Sequence, residues 1–517
     1  MAAVILQYFG RIALAQGTIR LTYFVRCRLF DKIQKLPISY FDVQPLGRTI
    51  TRVTADVEGL ENFFQNTFAR VMIALINIVA VLIAMLVTDA AFGTLILLFS
   101  LPAVIFSLAF RDTVRFWLRA YKRHGAFVNA KLAEYLNGIG VIRLFGLEDW
   151  SQRSFAAASL QMRYSGLKIM TWNSILRPVA IFLCSMPTLV ILYWGGIRVL
   201  DATLALGSLV AFVRLSERFI SPIRVLSQEA PNIQEALVSG ERVRKMLMEP
   251  TEDDVLGPDG SLTPVIRGAV EYRQVSMHYA GYTTPVLKDV SFAVKPGMSV
   301  GIVGATGSGK TTTMNLLPRF YPFQKGEILV DGFPIQSLQR SHLRSNLGYV
   351  YQDTVLTRGT VASNLRELSG RRNLGDQELS EAAFKTGLMQ VLETYGEGFL
   401  LKVAESGSNL SMGERQLIAL TAVVLKNPRI LILDEATAHM NPEIERLVQR
   451  AVLEVMSGWT TFIIAHRLTT IQKCDVILVF HEGTLVEQGD FAALYAKRGR
   501  FYELVEHQKS DAECFDG

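Results

Sequence analysis

The sequence predicts an all-α membrane-spanning domain followed by an α/β domain. The chain has 517 residues, 50% of them hydrophobic and 19% charged. Its mean hydropathy of +0.26 excludes a disordered or fibrous protein and argues against a purely soluble enzyme. Long uncharged stretches are confined to roughly the first 230 residues. After residue 264, short β-rich runs alternate with helical periods, which is typical of an α/β domain.

The amino-terminal half contains apolar stretches long enough to cross a membrane. Residues 71–110 include a single charge, Asp89. One helix of that length would measure about 60 Å, twice the hydrocarbon thickness, so two spans hinged near Thr88 and Asp89 are predicted. Further spans are predicted over the first 25 residues, over residues 178–197, and from residue 203 through residue 213 and beyond. We therefore expect five spans within residues 1–240.

Basic residues set the orientation of these spans. The two long connections, residues 26–70 and 111–170, are rich in Lys and Arg, which places them in the cytoplasm by the positive-inside rule. Residue 1 would then lie outside. We expect that a first span is missing from this chain, through truncation or a misassigned start. A signal peptide ending near Ala15 is the alternative.

Charge and cysteine content exclude other classes of protein. The net charge of +6 is mild for a nucleic-acid binder, so no nucleic-acid partner is expected. The four cysteines are far apart and form no C-x-x-C pair, which predicts neither a zinc site nor a disulfide framework. They are Cys27, Cys184, Cys474 and Cys514.

Residues 241–264 form a polar, turn-rich linker, and a phosphate-binding motif follows in residues 265–510. A buried strand is predicted over residues 299–303, then the loop GATGSGKT at residues 304–311, then a helix over residues 312–317, as in a P-loop. Backbone N–H groups of such a loop surround a β-phosphate, while Lys310 supplies charge and the Thr311 hydroxyl binds Mg²⁺. The candidate nucleotide-binding residues here are Gly304, Thr306, Gly307, Ser308, Gly309, Lys310, Thr311 and Thr312.

Two further strands end in residues that suit ATP hydrolysis. The strand over residues 429–433 ends in Asp434, a candidate magnesium ligand, and Glu435, which we expect to orient and polarise the attacking water. The strand over residues 461–465 ends in His466. A lone histidine is more often structural, but beside a P-loop this one is expected to reach the γ-phosphate. Glu435 and His466 are the predicted catalytic residues of an ATP hydrolase.

The segment at residues 409–416, NLSMGERQ, resembles the signature motif of ATP-binding cassette (ABC) proteins, and Glu414 precedes Asp434 by 20 residues, as in that family. The resemblance implies roles for further residues. Tyr279 matches the aromatic residue that stacks on adenine, Gln352 the Q-loop glutamine that joins Thr311 and Asp434 around Mg²⁺, His466 the switch histidine, and Ser411 and Gly413 the signature residues that contact ATP.

The membrane half is similar to the exporter class of this family, in which helices are exchanged between subunits. Residues 36–42 (LPISYFD) and 46–49 resemble its first coupling segment, and residues 143–148 resemble the second. The resemblance implies a half-transporter in the inner cell membrane, with a cytoplasmic nucleotide-binding domain and a domain-swapped helical bundle. Two such domains close over two ATPs and turn an inward-facing cavity outward. The implied partners are a second half-transporter, membrane lipids and a small amphipathic substrate.

Two motifs depart from the family pattern. The signature LSGGQ is LSMGE at residues 410–414, and the D-loop SALD is AHMN at residues 438–441. The departing residues act on the partner's ATP, whereas the intact motifs act on this chain's own ATP. This contrast favours a heterodimeric multidrug or lipid exporter. A homodimeric lipid, glycolipid or peptide exporter is the alternative, and Glu435 and His466 argue against an ATP-binding channel or regulator.

Ionisable residues follow the last apolar run at helical spacing, and they leave two interpretations open. In the first interpretation, they line an aqueous cavity and contact an anionic or amphipathic cargo. In the second, they belong to a cytoplasmic extension of the helix. The residues are Arg214, Glu217, Arg218 and Arg224.

Overall fold

The computed structural model describes residues 2–201, 203–434, 441–456, 458–464 and 468–515. The chain forms two compact units. The first comprises Met1–Phe30 and Ile50–Leu247, and the second comprises Asp31–Thr49 and Met248–Gly517. The short segment Asp31–Thr49 therefore belongs with the carboxyl-terminal part of the chain, although it lies between helices of the first unit in sequence.

The amino-terminal part of the chain is helical. In chain order its helices are α1 (Ala2–Gln34), α2 (Ile38–Val43), α3 (Leu46–Val53), α4 (Ala55–Asn62), a π-helix (Phe63–Phe68), α5 (Ala69–Thr88), α6 (Ala90–Asn137), α7 (Ile139–Leu144), α8 (Glu148–Leu200) and α9 (Leu206–Met248). Among the described residues, two helical stretches are long and apolar enough to cross a membrane, Leu46–Thr88 and Glu148–Leu200.

The predicted hinge between the second and third apolar stretches is confirmed. Helix α5 ends at Thr88, and Asp89 adopts an extended backbone with φ −159° and ψ 107° before α6 begins at Ala90. The Asp89 carboxylate accepts a hydrogen bond of 3.0 Å from Arg198 near the end of α8. Helix α6 has 48 residues and α8 has 53, about 70–80 Å each, so both extend well beyond the thickness of a bilayer.

The last long helix begins later than the sequence predicts. Helix α9 starts at Leu206 rather than at Thr203. The backbone N–H groups of Thr203 and Leu204 donate to the carbonyl oxygen of Arg198, at 2.9 and 3.0 Å. These bonds close the end of α8, so residues 203–205 belong to the turn between the two helices.

The second unit is built on two main β-sheets. Its strands are β1 (Val270–Met277), β2 (Leu287–Val294), β3 (Ser299–Gly304), β4 (Lys325–Val330), β5 (Phe333–Pro334), β6 (Leu347–Val350), β7 (Gly359–Thr360), β8 (Lys402–Val403), β9 (Ile430–Asp434), β10 (Thr460–Ile464), β11 (Val476–His481) and β12 (Thr484–Gly489). An antiparallel sheet has the order β2-β1-β4-β5, and a six-stranded sheet has the order β12-β11-β3-β10-β9-β6. All but β12 of the six run parallel.

Helices surround these sheets. They are α10 (Glu252–Leu256), α11 (Lys310–Leu316), α12 (Arg340–Ser345), α13 (Val361–Ser369), α14 (Asp376–Thr386), α15 (Leu388–Tyr395), α16 (Met412–Lys426), α17 (Pro442–Met456), α18 (Leu468–Ile471), α19 (Phe491–Ala496) and α20 (Arg500–Phe515).

The six-stranded sheet separates two hydrophobic cores. Along β9, Ile430 and Ile432 face the core shared with β1, β2 and β4, whereas Leu431 and Leu433 face the core shared with α13, α14, α16 and α17. Successive side chains of a strand point to opposite faces, so continuous apolar runs such as these are expected when both faces are buried. Both faces of the central strands are therefore buried. Polar functional side chains can be placed only at the ends of these strands.

The predicted linker contains a short helix that packs on arginines. Thr251 caps α10 by accepting a hydrogen bond from the backbone N–H of Asp254. Glu252 forms an ion pair with Arg344, and Asp259 accepts hydrogen bonds from the backbone and guanidinium of Arg340. Burial alone would raise the pKa of the Asp259 carboxyl, but these bonds lower it below its ordinary value. The linker is thus held against its unit by charge pairs with the buried Arg340 and the half-buried Arg344.

Candidate functional site

The predicted site residues follow strands that are neighbours in the parallel sheet. Ile464 at the end of β10 pairs with Asp434 on one side, and Ile302 of β3 pairs with Ile464 on the other. Val350, at the end of β6, pairs with Leu433. The P-loop, Asp434 and Gln352 therefore lie at one edge of the sheet, where ligands of α/β proteins bind. The predicted catalytic residues Glu435 and His466 lie outside the described residues.

Glycines shape the P-loop by allowing close backbone packing. Gly304, Gly307 and Gly309 have φ angles of +152°, +79° and +99°. A Cβ on Gly304 would lie 2.3 Å from the carbonyl oxygen of Phe480, and one on Gly309 would lie 2.7 Å from the Leu287 side chain. A side chain at Gly304 would displace the backbone, and one at Gly309 would strain the backbone and push the Leu287 side chain aside.

Lys310 is buried at the centre of the loop, with 7% of its surface exposed. Its Nζ donates hydrogen bonds to the carbonyl oxygens of Gly304 and Ala305, at 2.8 and 2.9 Å. Burial lowers the pKa of Lys310, and the negative charge of Asp434 opposes that shift. A cation held by two neutral carbonyl groups has capacity left for anionic ligands.

Ser308 supports the fit of a phosphate group to this loop. Its side chain is 4% exposed, and its buried Oγ has no hydrogen-bond partner among the described residues. A buried hydroxyl without a partner is unfavourable, since it has lost its hydrogen bonds to water. A phosphate oxygen in the loop would supply the missing bond, so the residues present fit a nucleotide.

Tyr279 lies two residues after β1 and forms an aromatic pair with Tyr321. Its hydroxyl is 3.0 Å from the Thr312 Oγ1, and its ring packs edge-on against Tyr321 with centroids 5.1 Å apart. The Tyr321 hydroxyl donates a 2.7 Å hydrogen bond to Asp42 in α2. Burial, followed by the hydrogen bond to Asp42, raises the pKa of Tyr321. Sequence reasoning missed Tyr321, because no local pattern links it to Tyr279 or Asp42.

The signature segment forms the beginning of α16, with Ser411 as the capping residue. The Glu414 backbone N–H donates to the Ser411 Oγ at 3.3 Å, and the Ser411 N–H donates to the Glu414 Oε2 at 2.6 Å. The Tyr395 hydroxyl donates to the Glu414 Oε1 at 3.0 Å. Burial, and then this bond, raises the pKa of Tyr395. Gly413 is buried behind the cap, and Met412 is half-buried.

The motif S-x-x-E is a known helix-capping signal, so the pairing of Ser411 with Glu414 was detectable in the sequence. The contribution of Tyr395 was not. The hydrogen bonds described for Ser411 are with Glu414, and none joins Ser411 to the P-loop of the same chain.

The remaining predicted ligands differ in exposure. The side chains of Thr311 and Gln352 are exposed to solvent, and Asp434 is half-buried. All three carry oxygen atoms at the same sheet edge, which is the donor type that Mg²⁺ prefers.

Comparisons with known proteins agree with this architecture. Residues 1–223 match the family model described as the ABC transporter transmembrane region, and residues 287–438 match the model described as ABC transporter. The solved structure of a bacterial Atm1-family ABC exporter with ATP bound superposes with a TM-score of 0.81 at 24% identity, covering 98% of this chain and 88% of that chain. The predicted fold class is therefore confirmed.

Curated relatives extend over both halves of the chain. A fatty acid ABC transporter ATP-binding/permease protein of Mycobacterium bovis is 35% identical over 93% of this chain and 75% of its own length. The probable multidrug resistance ABC transporter ATP-binding/permease protein YheH of Bacillus subtilis is 33% identical over 98% of this chain and 75% of its own length. With a phosphate-binding loop on one unit and membrane helices on the other, this chain belongs to the ABC transporter family as a membrane-embedded exporter protein that couples ATP hydrolysis in a cytoplasmic domain to transport.

Proposed function

We propose that this chain exports or flips an amphipathic substrate across the inner cell membrane by alternating access, as one half of a heterodimer. The observation that carries the proposal is the contrast between the P-loop, whose chemistry is complete, and the altered signature of the same chain. In this proposal residues 1–240 form the transmembrane domain, residues 241–264 the linker and residues 265–510 the ABC nucleotide-binding domain.

The nucleotide would be bound from its base to its γ-phosphate by this chain. Tyr279 stacks on adenine, the backbone from Gly304 to Thr312 surrounds the phosphates, and Lys310 gives up its two carbonyl partners to bind phosphate oxygens. Ser308 gains the hydrogen bond that its buried hydroxyl lacks. Mg²⁺ would be held by Thr311, Gln352 and Asp434, and would neutralise charge on the β- and γ-phosphates.

Hydrolysis would then use the two residues that follow β9 and β10. Glu435 accepts a proton from the attacking water or orients it, and His466 donates a hydrogen bond to the γ-phosphate. Ser411 and Gly413 act on the nucleotide of the partner chain. Closure of two domains around ATP favours one orientation of the membrane helices, and hydrolysis releases it, which is a population shift driven by differential affinity.

The heterodimer is supported by the altered signature. Met412 places a side chain where a glycine would let the backbone approach phosphate, and Glu414 places a negative charge at the beginning of α16. Both features weaken the binding of an anion there. A partner chain with a consensus signature would complete this chain's own ATP site.

Transport in vesicles tests the exporter function. We expect ATP-driven uptake of an amphipathic dye into inverted vesicles containing the full chain and its partner, and loss of that uptake in Glu435→Gln and Lys310→Ala. Lys385→Ala, which removes an exposed lysine from α14, is the matched control and should behave as wild type. Undiminished uptake in Glu435→Gln would disprove the catalytic role of Glu435.

Purification of the chain by itself tests the pairing. A heterodimer subunit should show ATPase activity at least tenfold below that of the same chain copurified with its partner. ATPase activity of the single chain at the rate of a complete transporter would establish a homodimer instead.

A further inference from the structure

Helix α9 has one packed face and one open face within its first four turns. Phe212 and Phe219 are 0% and 6% exposed and pack with Val81 and Met85 of α5. Ser216, on the same face, lies 3.2 Å from the Thr188 hydroxyl of α8. These contacts occupy the side of α9 that faces its neighbours in the first unit.

The opposite face carries charge. The side chains of Arg214 and Glu217 are 76% and 59% exposed and form an ion pair of 3.5 Å. Arg218 is also exposed, and it has no hydrogen-bond or ion-pair partner among the described residues. With a helical period of 3.6 residues, these three positions lie opposite Phe212 and Ser216. We call this set the α9 charged face.

The depth of this face decides between the two interpretations left open by the sequence. Arg214 lies eight residues after the first residue of α9, and Arg218 lies twelve residues after it. These positions are about 12 and 18 Å along the helix, which is within the length needed to cross a hydrocarbon layer of about 30 Å. Phe212 and Phe219 flank them and cluster with Val81 and Met85 of α5 and Ile191 of α8, which lie inside the two helical stretches that are long and apolar enough to cross a membrane. Arg214, Glu217 and Arg218 therefore belong to the membrane-spanning part of α9 rather than to a cytoplasmic extension.

Ionised side chains at this depth need water or a counter-ion, since hydrocarbon solvates them poorly. Glu217 neutralises one arginine, which leaves one positive charge on the α9 charged face. Lipid tails have no hydrogen-bond acceptors for a guanidinium group. A carboxylate or phosphate group has paired oxygen atoms whose spacing matches the N–H donors of the guanidinium.

We propose that the α9 charged face binds the anionic headgroup of an amphipathic cargo, with Arg218 and Arg214 as its ligands and Glu217 as a competing internal anion. The exposed Val210, one turn before Arg214 on the same face, offers apolar contact to the adjoining tail. This inference rests on the proposed export function and assigns its substrate class: anionic amphiphiles, either carboxylates or phosphates.

Binding without nucleotide tests this assignment separately from transport. The full chain with its partner is placed in phosphatidylcholine nanodiscs, and radiolabelled oleate is displaced by four ligands of one tail length. These are oleate, 1-oleoyl lysophosphatidate, methyl oleate and oleylamine. We expect the two anions to compete at least tenfold better than the neutral ester or the amine. Equal competition by all four, or preference for oleylamine, would overturn the proposal.

Variants locate the site. Arg218→Gln and Arg214→Gln should each weaken oleate binding about tenfold, as expected for loss of a charge-assisted hydrogen bond. Glu217→Gln should strengthen it severalfold, and Arg218→Lys should retain more binding than Arg218→Gln. Arg244→Gln, an exposed position near the other end of α9, is the control and should bind as wild type. Unchanged binding in both arginine variants, with correctly assembled protein, would refute the site.

Two controls separate cargo from other occupants of the face. Phosphatidylglycerol in the nanodiscs should leave oleate binding within twofold, whereas full competition would assign the face to membrane lipid. Dissociation of the dimer in Arg214→Gln and Arg218→Gln would assign it to the subunit interface. Oleate binding that survives a failed transport assay would refute the export function alone, and transport without anion selectivity would refute this inference alone.

Discussion

Glu414 shows how one substitution preserves a local structure while changing its charge. A glutamine at this position would close the same capping box with Ser411, since both side chains accept a hydrogen bond from the capping N–H. The glutamate adds a negative charge at the beginning of α16, held there by the Ser411 N–H and the Tyr395 hydroxyl. That charge partly neutralises the positive end of the helix dipole, which would otherwise attract an anion.

We therefore predict that Glu414→Gln lowers the KM for ATP of the assembled transporter about two- to fivefold, because a charge at a helix terminus contributes about 0.3–1 kcal/mol. ATPase activity measured against ATP concentration checks it. Glu393→Gln removes an exposed carboxylate from α15, the helix that carries Tyr395, and should leave KM unchanged. A KM that rises in Glu414→Gln would contradict the prediction.

At the scale of elements, a buried carboxylate joins α9 to the π-helix that precedes α5. Glu229 is 5% exposed and accepts hydrogen bonds of 2.9 Å from Thr67, 2.9 Å from Arg70 and 2.8 Å from Asn232. Asp56 in α4 forms a similar contact with Arg242, at 3.1 Å. The two carboxylates thus connect α9 to the preceding helices at two positions along its length. This supports movement of these helices as one body.

Glu229→Gln should lower the free energy of unfolding by about 1–3 kcal/mol, because the new amide group would face donors and leave some of them without an acceptor. The midpoint of thermal unfolding in detergent, followed by tryptophan fluorescence, checks it. Glu241→Gln alters an exposed pair on the same helix and should shift the midpoint far less. Equal shifts in both variants would show that the buried contacts with Glu229 add nothing to stability.

At the scale of the whole molecule, chain order and spatial grouping differ. The segment Asp31–Thr49 belongs to the same unit as the P-loop, and its Asp42 contacts Tyr321, whose ring packs against Tyr279, the residue that we propose stacks on adenine. Ile38 packs against the core of the same unit, and the Glu252 N–H donates to the Lys35 carbonyl oxygen. This segment is therefore anchored beside Tyr321 and Tyr279, where we propose that the base of the nucleotide binds.

Tyr321→Phe keeps the ring beside Tyr279 but removes the bond to Asp42. We predict that the KM for ATP stays within about twofold while substrate transport per ATP falls severalfold, since a hydrogen bond to a charged group contributes about 1.5–3 kcal/mol. Parallel ATPase and vesicle transport assays check it. The exposed Tyr282→Phe is the control. If transport per ATP were unchanged, the bond to Asp42 would have no coupling role.

Much of the fold and part of the site were predictable because they depend on contiguous segments. The P-loop lies between a strand and a helix that follow each other directly, so its sequence specifies its shape. The hinge at Asp89 follows from one charge inside a long apolar stretch. The lateral order of the strands was not predictable in this way. The placement of Gln352 at the same sheet edge as Asp434 depends on the pairing of β6 with β9, which the resemblance to a family implied but no local pattern dictates.

The sequence by itself determined that this protein spans a membrane and carries a phosphate-binding loop, because hydropathy, loop charge and glycine spacing act over a few neighbouring residues. Only the tertiary structure decided which distant residues meet. Tyr321 reaches Asp42 across 279 positions, and Glu229 reaches Thr67 across 162. The tertiary structure also decided that Arg214 and Arg218 lie on the side of α9 away from α5. The neighbouring helices determine which face of a helix is buried. Contacts of this kind depend on chain reversals, and no short stretch of sequence encodes them.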